Sequence, residues 1–142
     1  MNPQLQSIPQ GIVTGIDLVE IGRIAKSMER RMFLQRVYSP QELELMQLRA
    51  GSGKPLLASH SAVSTAAVNF CAKEAFAKAL GSGIRGFALN EVSALRDSLG
   101  APYLVFTGKA RQLVEERGLA FSVSLSHTKE YACAMVTGWY CK

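Results

Sequence analysis

A long run of apolar residues in the middle of the chain, over residues 62–80, is interrupted by only a few charges. Apolar side chains fall on nearly every side of a helical projection, which predicts a long helix buried within the protein. Lys73, Glu74 and Lys78 lie in this run, and the last two share one face at a spacing of i and i+4. A charge inside a protein must be paired, hydrogen-bonded or bound to a metal. The pattern therefore indicates either a functional site at Glu74 and Lys78 or an ordinary surface ion pair.

A second apolar run, over residues 11–21, has the residue types of a β-strand and is interrupted by Asp17. Asp17 and Glu74 are thus isolated carboxylates in two otherwise apolar elements. Because a buried charge requires a partner, the two acids form a pair worth testing as one site.

The residues that follow this strand, over 20–34, repeat apolar side chains at helical spacing and predict one amphipathic helix. The opposite side carries Arg23, Lys26 and Arg30 at i, i+3 and i+7, and we call these three residues the basic stripe. Such a stripe is either a solvated face or a docking surface for an acidic partner. The pattern alone leaves both interpretations open.

Turn and capping signals divide the rest of the chain. Ser39 and Glu42 form a capping box that predicts a helix over 40–49, and the Gly- and Ser-containing segment 51–61 predicts a mobile loop. Downstream, the pattern predicts strands over 88–95 and 103–106, a helix over 107–117, and strands over 121–126 and 131–137. Residues 81–86 match GxGxxG but follow a helix, so they do not predict dinucleotide binding, and Gly81 is interpreted as a helix cap.

This order of elements predicts an α+β fold, with a mainly antiparallel sheet packed against a long central helix. With 142 residues, 48% of them hydrophobic, we expect a single domain over residues 1–142, with residues 1–10 loose. The first ten residues lack the apolar core of a secretory signal, and residues 55–72 are too polar to span a membrane. Three cysteines without CxxC spacing indicate neither a disulfide framework nor a zinc site, so a reducing, cytoplasmic location is expected.

The charge of the chain narrows the class of its partners. A net charge of +5 and a pI near 9.3 favour nucleic acid, a phosphorylated small molecule or an acidic protein. His127 lies among hydroxyls such as that of Ser126, with Lys129 nearby, and together they form a cluster of phosphate-type donors. The alternative is a solvated or locally hydrogen-bonded histidine at a turn.

Three segments in order, residues 15–23 around Asp17, 72–83 around Glu74 and 123–131 around His127, together resemble holo-acyl-carrier-protein synthase. This is the short bacterial group of 4′-phosphopantetheinyl transferases, and the resemblance extends over about residues 11–136. It implies the 4′-phosphopantetheinyl transferase fold. It also implies transfer of the phosphopantetheine arm of coenzyme A to a serine of apo acyl carrier protein, with Mg²⁺ as cofactor and release of adenosine 3′,5′-bisphosphate. No nucleic-acid or membrane partner is implied.

The resemblance assigns roles to the residues at matching positions. Asp17 and Glu74 are implied to bind Mg²⁺, and two carboxylates are enough because phosphate oxygens and waters complete its octahedral shell. Asp17, Glu74 and Lys78 are implied to be catalytic, while Glu74, Asp17 and a metal-bound water stay open as the base. The residues implied to bind coenzyme A are Lys73, Lys78, Ser126 and His127.

The family's carrier proteins are acidic and dock partly through the helix after the aspartate, which implies that the basic stripe binds the carrier. Its short members are homotrimers with active sites at subunit interfaces, so the same assembly is implied here. Two features depart from the family pattern. Asn69 stands where a basic residue commonly precedes the aromatic residue of the central helix, so one phosphate or carrier contact is lost or supplied from elsewhere. The segment over 44–67 is also longer than typical.

Two other functions are alternatives. A small basic nucleic-acid-binding domain would agree with the charge, but the sequence lacks an aromatic stacking platform or recognised binding motif, and Asp17 and Glu74 would be unexplained. A carrier-binding module without catalysis would keep the fold and would bind its carrier without dependence on Mg²⁺. The sequence does not distinguish a fatty-acid from a polyketide carrier, or free from acylated coenzyme A.

Overall fold

The computed structural model describes residues 11–81 and 83–141, so the expectation that residues 1–10 are loose lies outside the described residues. The strands are β1 (Ile12–Glu20), β2 (Val92–Arg96), β3 (Pro102–Phe106), β4 (Leu119–His127) and β5 (Tyr131–Tyr140). The α-helices are α1 (Ile21–Met28), α2 (Arg31–Val37), α3 (Pro40–Ala50), α4 (His60–Leu80) and α5 (Gly108–Glu116). Two short 3₁₀ turns are formed by Leu56–Ala58 and Leu89–Glu91.

The strands form two antiparallel sheets. One sheet has three strands in the order β1-β5-β4, and β2 pairs with β3 in a separate two-stranded sheet. The long helix α4 packs against the three-stranded sheet and buries most of its side chains. This arrangement confirms the predicted α+β class, with antiparallel strands against a long central helix, although the strands divide into two sheets.

Strand β1 approaches helix α4 very closely at Gly15. A Cβ atom at this position would lie 1.9 Å from the carbonyl oxygen of Ala75 and 2.8 Å from the backbone nitrogen of Ala79. No side chain fits there, because non-bonded heavy atoms pack at about 3.5–4.0 Å. Asp17 lies two residues further along the same face of β1, so the close contact at Gly15 places it beside α4.

Aromatic rings fix α4 to the remaining strands. The ring centroid of Phe76 in α4 lies 4.8 Å from that of Phe106 in β3 and 5.1 Å from that of Phe121 in β4. Phe87 meets the same ring edge-on at 5.4 Å. Such rings bury large apolar areas in defined geometry, so α4 has one position relative to both sheets.

The prediction of one helix over 20–34 is wrong, because the chain breaks at Arg30 into α1 and α2. Arg30 has extended backbone angles, φ −95° and ψ 117°, which cannot continue a helix. The break turns Phe33 toward α4, where its ring lies 6.1 Å from that of Phe70 and 5.9 Å from that of Tyr38. Burial of this ring favours two short helices over one long helix.

The predicted strand over 88–95 begins only at Val92, because residues 89–91 form a 3₁₀ turn. Glu91 explains the difference. Its Oε1 accepts a hydrogen bond from the backbone N–H of Ala88 at 2.8 Å, and its Oε2 accepts one from that of Lys109 at 2.8 Å. One carboxylate thus satisfies backbone donors at the turn and at the start of α5.

The predicted helix caps are confirmed. Oγ of Ser39 accepts from the N–H of Glu42 at 3.3 Å, and Oε1 of Glu42 accepts from the N–H of Ser39 at 3.0 Å. Gly81 ends α4 in the left-handed conformation, with φ 80°. These caps fix where α3 begins and where α4 ends.

The segment over 51–61 has internal order. Nε2 of Gln47 donates to the carbonyl oxygens of Gly51 at 2.9 Å and Lys54 at 2.8 Å, and a 3₁₀ turn follows. The mobility of this segment stays a prediction. Among the described residues, no helix combines the length and apolarity needed to cross a lipid bilayer.

Candidate functional site

A cleft of about 260 Å³ opens between β1, α1 and α4, and we call it the carboxylate cleft. Asp17 and Glu74 both line it, so the structure brings the two predicted acids together. The other lining residues include Val19, Arg23, Ile24, Phe33 and Phe70. The lining is mixed, since apolar side chains lie beside the two acids and Arg23, and the apolar part strengthens the interactions between these charges.

Lys78 contacts Asp17 at the mouth of this cleft. Its Nζ donates to Oδ1 of Asp17 at 3.2 Å and to the carbonyl oxygen of Ile16 at 2.8 Å. The Lys78 side chain is 56% exposed, whereas that of Asp17 is only 17% exposed. The Lys78 side chain is therefore open to solvent next to Asp17.

The pKa of the Glu74 carboxyl group is shifted from its ordinary value. Burial raises the pKa of Glu74, the charge of Asp17 raises it further, and Lys78 opposes both effects. Two carboxylates that repel each other are stabilised by a bound cation. Within residues 11–81 and 83–141, no group of three or more His, Cys, Asp and Glu side chains could hold a metal ion. The two acids fit Mg²⁺, which uses one or two protein carboxylates and takes its other ligands from phosphate oxygens and water.

Cys71 lies on the buried side of α4, behind the carboxylate cleft. Its Sγ donates to the carbonyl oxygen of Ala132 at 3.4 Å. Burial raises the pKa of the Cys71 thiol, and the carboxylate of Asp17 raises it further. The thiol is therefore neutral and acts as a packing group, because only the thiolate is an effective nucleophile.

The structure places Lys73 in the interior, away from the carboxylate cleft. Its Nζ donates to Oε1 of Glu42 and to the carbonyl oxygens of Leu89 and Val92. Both side chains of the Lys73–Glu42 ion pair are 0% exposed. An enclosed ammonium group with three partners has no donor left for a phosphate, so this placement disfavours the predicted contact of Lys73 with coenzyme A, which stays a prediction. Lys73 and its neighbour Glu74 thus face different surroundings.

A second cavity, of about 290 Å³, lies between α4, β4 and the turn that joins β2 to β3, and we call it the arginine pocket. Its charged and hydroxyl lining residues are Arg49, Ser64, Thr65, Arg96, Ser124 and His127. His127 therefore does lie among phosphate-type donors. The strongest of these are two guanidinium groups rather than the ammonium of Lys129.

The arginine pocket and the carboxylate cleft lie on opposite flanks of α4. Thr65 of the pocket and Glu74 of the cleft are nine residues apart (74 − 65), which at about 100° per residue is two and a half turns. Strands β1 and β4, which carry Asp17 and His127, are also the two edges of the three-stranded sheet. One subunit therefore does not bring His127 into the carboxylate cleft.

Ser126 lies on the opposite face of the sheet from His127. Successive residues of β4 alternate between faces, and Ser126 is in register with Cys133 of β5, which faces Leu18 of β1. The Leu18 side chain is 66% exposed. We call this surface the outer face, and its exposed apolar residues on β1 and β5 are Ile12, Ile16, Leu18, Met135 and Trp139.

The three residues of the basic stripe stay on one exposed surface, although the predicted helix is divided into α1 and α2. Arg23, Lys26 and Arg30 are exposed and together line a shallow depression of about 380 Å³ with Ser27 and Glu29. Arg23 also lines the carboxylate cleft. A partner bound to the stripe would therefore lie next to Asp17 and Glu74.

Two residues near the arginine pocket have roles that the sequence patterns do not reveal. Besides its capping bond, Glu42 accepts from Nδ2 of Asn69 at 2.9 Å and from the N–H of Ala94 at 3.2 Å. Arg96 donates from Nη2 to Oδ1 of Asn69 at 2.8 Å. The sequence signals that point to this region are the unexpected asparagine at position 69 and the donor cluster around His127.

Known proteins resemble this chain over most of its length. The family model of the 4′-phosphopantetheinyl transferase superfamily matches residues 14–136. A holo-[acyl-carrier-protein] synthase of Lachnoclostridium phytofermentans is 38% identical over 125 residues, which cover 87% of this chain and 92% of the relative. The holo-[acyl-carrier-protein] synthase of Geotalea daltonii is 42% identical over 127 residues, covering 87% and 94% respectively. The ACPS–CoA complex of Chronobacterium ammoniagenes superposes with a TM-score of 0.74 at 30% identity, covering 92% of this chain and 98% of that chain.

Proposed function

The chain belongs to the 4′-phosphopantetheinyl transferase superfamily, and from this premise we propose how it works as a holo-acyl-carrier-protein synthase. The enzyme transfers phosphopantetheine from coenzyme A to an apo acyl carrier protein. We propose further that the transfer depends on Mg²⁺, releases adenosine 3′,5′-bisphosphate and uses Asp17, Glu74 and Lys78.

The pairing of Asp17 with Glu74 in one cleft carries this proposal. Burial raises the pKa of Glu74 and the charge of Asp17 raises it further, and a divalent cation held by the two carboxylates would offset both effects. When bound there, Mg²⁺ would neutralise charge on the pyrophosphate and on the leaving bisphosphate. Lys78 at the cleft mouth would hold a phosphate oxygen, and its contact with Asp17 orients its ammonium group.

In the reaction, the serine oxygen of the carrier forms a bond to the β-phosphorus of coenzyme A. The bond between that phosphorus and the bridging pyrophosphate oxygen breaks, and adenosine 3′,5′-bisphosphate leaves with that oxygen. The serine proton passes to a base, for which the two cleft carboxylates, Glu74 and Asp17, and a water held in the cleft are the open alternatives. Phe33 and Phe70 line the cleft beside the two acids and offer an apolar surface against which the substrate can pack.

We propose that the acyl carrier protein docks on the basic stripe. The stripe is exposed and reaches the carboxylate cleft through Arg23, so an acidic carrier bound there would present its serine to Asp17 and Glu74.

Charge reversal of Arg23 and Lys26 to Glu should raise the KM for carrier about tenfold and remove most of its salt dependence. The matched reversal Lys109→Glu on α5 should leave it unchanged. A KM insensitive to both salt and charge would exclude the stripe from the interface.

We propose that the subunits form a homotrimer with active sites at subunit interfaces. The carboxylate cleft and the arginine pocket lie on opposite flanks of α4, and a closed ring brings opposite edges of identical subunits together. The exposed apolar side chains of the outer face offer surface for such association. Sedimentation of the purified protein as a monomer at micromolar concentration would contradict this assembly.

The test of the enzymatic proposal is the intact mass of an apo acyl carrier protein after incubation with this protein, coenzyme A and Mg²⁺. We expect a gain of roughly 340 Da that is lost with EDTA and in the Asp17→Ala and Glu74→Ala variants, because each removes the charge-neutralising site. The variant Glu115→Ala, on the exposed face of α5, is the matched control and should retain the gain.

The remaining function on this fold is a carrier-binding module without catalysis. It would bind carrier with no mass gain and no response to EDTA, and that result with several carriers would overturn the transferase mechanism.

The free cysteines Cys71, Cys133 and Cys141 support the proposal of a reducing, cytoplasmic compartment. Recovery of the protein in a membrane or secreted fraction would contradict it.

A further inference from the structure

One acid interrupts the basic stripe. Glu29 lines the same shallow depression as Arg23, Lys26 and Arg30. In the part of the chain that the structure describes, neither this carboxylate nor the three cations take part in a salt bridge. All four charged groups are thus free to contact a partner. The surface that they present has a negative charge among three positive charges and is not uniformly basic.

The local structure of α1 does not account for an acid at this position. Glu29 is the residue that follows α1, with helical backbone angles of φ −62° and ψ −22°, and its backbone N–H donates to the carbonyl oxygen of Lys26 at 3.3 Å. The end of a helix favours a cation, because its last carbonyl groups carry partial negative charge. The Glu29 side chain is also exposed, so it is not held by packing in the core.

Glu29 lies at the end of the stripe that is remote from the two acids of the site. Arg23 lines the carboxylate cleft, whereas Glu29 does not. The two residues are six positions apart (29 − 23), which is about 9 Å along a helix axis. The charge of Glu29 would therefore act on a partner docked along the stripe and not on the reacting groups.

We propose that Glu29 is a specificity-determining residue, which selects a carrier whose acidic docking surface contains one basic side chain opposite Glu29. The basic stripe attracts an acidic carrier, and Glu29 repels a carrier that is acidic over the whole of this surface. Discrimination between similar partners commonly combines an attractive with a repulsive element. This inference rests on the proposed docking of the carrier on the basic stripe.

The test measures binding of an apo acyl carrier protein by calorimetry without coenzyme A, so it does not depend on transfer activity. The carrier has acids and no Lys or Arg on the surface around its serine. We expect Glu29→Gln to tighten its binding about two- to fivefold and Glu29→Lys about tenfold, since a repelling charge is removed or reversed. Glu116→Gln, an exposed acid on α5, changes the net charge equally and should leave the Kd within about 1.5-fold.

A charge exchange between the two proteins tests the position of the acid. Each surface acid around the serine of the carrier is replaced singly by Lys. We expect every reversal to weaken binding to the wild-type protein except one, which should bind at least as tightly as the parent carrier. That one variant should bind Glu29→Lys at least tenfold more weakly than it binds the wild type. A change in net charge alone would shift all carriers alike, so the exception reports a direct pair.

The outcomes separate this inference from the proposed function. A panel without an exception, or equal effects of Glu29→Gln and Glu116→Gln, would overturn the role of Glu29 even if reversal of Arg23 and Lys26 weakens carrier binding. Binding that ignores that reversal as well would reject docking on the stripe, and the role of Glu29 with it. A loss of several degrees in the Tm of Glu29→Gln would assign the acid to the fold instead. The exception in a protein without transfer activity would keep the role of Glu29 and reject the catalytic proposal.

Discussion

Glu74 occupies a half-buried position beside Asp17, where burial and repulsion raise its pKa. An acid whose pKa is higher in the folded than in the unfolded state contributes stability below its unfolded pKa. That contribution is lost as the pH rises through the folded pKa. The carboxylate that prepares the cleft for a cation therefore destabilises the metal-free fold at neutral pH.

We therefore expect Glu74→Gln to raise the Tm by a few degrees at pH 8 in EDTA, because the amide removes a repelled charge. The gain should shrink as the pH falls through about 4 and be lost near pH 3, where the wild-type carboxyl is protonated in both states. Thermal unfolding across this pH range measures the effect, and the exposed Glu115→Gln should show little change. A Tm below that of the wild type at every pH would mean that the two acids do not repel.

Lys73 and Glu42 show how a buried pair differs from an exposed one. Both side chains are fully enclosed, and removing one partner leaves an uncompensated charge, at a cost of about 3–5 kcal/mol. We expect Lys73→Met to lower the free energy of urea unfolding by that amount, and Lys73→Met with Glu42→Gln to lose less. Arg111→Met, which breaks the exposed pair with Glu115, should cost less than about 0.5 kcal/mol.

A contrary result would change the role of Lys73. If Lys73→Met has nearly wild-type stability and a higher KM for coenzyme A, its ammonium group reaches a phosphate, as the family resemblance implies. The readouts are independent because stability reports the pair with Glu42, whereas KM reports the substrate.

At the scale of elements, α4 and β1 could be predicted because burial sets their apolar pattern over their whole length. Asp17 and Glu74 could be found for the same reason, as isolated acids against an apolar background. The break at Arg30 could not be predicted from the sequence, because it depends on the packing of Phe33 against Phe70 in a distant helix. The position of Arg96 could not be predicted either, since it depends on how the β2–β3 sheet lies beside α4.

The contact between β1 and α4 sets the distance between the two acids. Gly15→Ala would place a methyl group 1.9 Å from the carbonyl oxygen of Ala75, so strand and helix must separate. We expect a loss of about 3 kcal/mol or more in denaturant unfolding, together with weaker Mg²⁺ dependence of any residual transfer. Gly22→Ala is the matched control, since no atom lies within 4 Å of its Cβ position in α1. It should leave the stability within about 0.5 kcal/mol, because Gly22 lies in the first turn of α1, where alanine gains less over glycine than in a helix interior. Similar effects of both substitutions would show that the close contact is not structurally important.

At the scale of the whole molecule, the separation of Asp17 from His127 on opposite edges of the sheet makes a specific prediction for mixed assemblies. Asp17→Ala and His127→Ala subunits should each have low activity alone. Coexpressed in equal amounts, about one interface in four would combine an intact Asp17 with an intact His127, so about a quarter of wild-type activity should return. The measurement is carrier mass shift by the copurified mixture. Activity equal to the average of the two variants would place each complete site within one subunit.

The position of α4 between two cavities has one further consequence. In the proposed assembly each copy of this helix serves two reaction centres, with Glu74 in one and Ser64 and Thr65 in the other. Transfer activity then requires assembled subunits, because a single chain holds no complete active site. Specific activity should decline when the enzyme is diluted below its association threshold, and a dilution series read against sedimentation would reveal it. A cell with few copies would convert its carriers more slowly than the copy number alone suggests, so small changes in expression would have amplified effects.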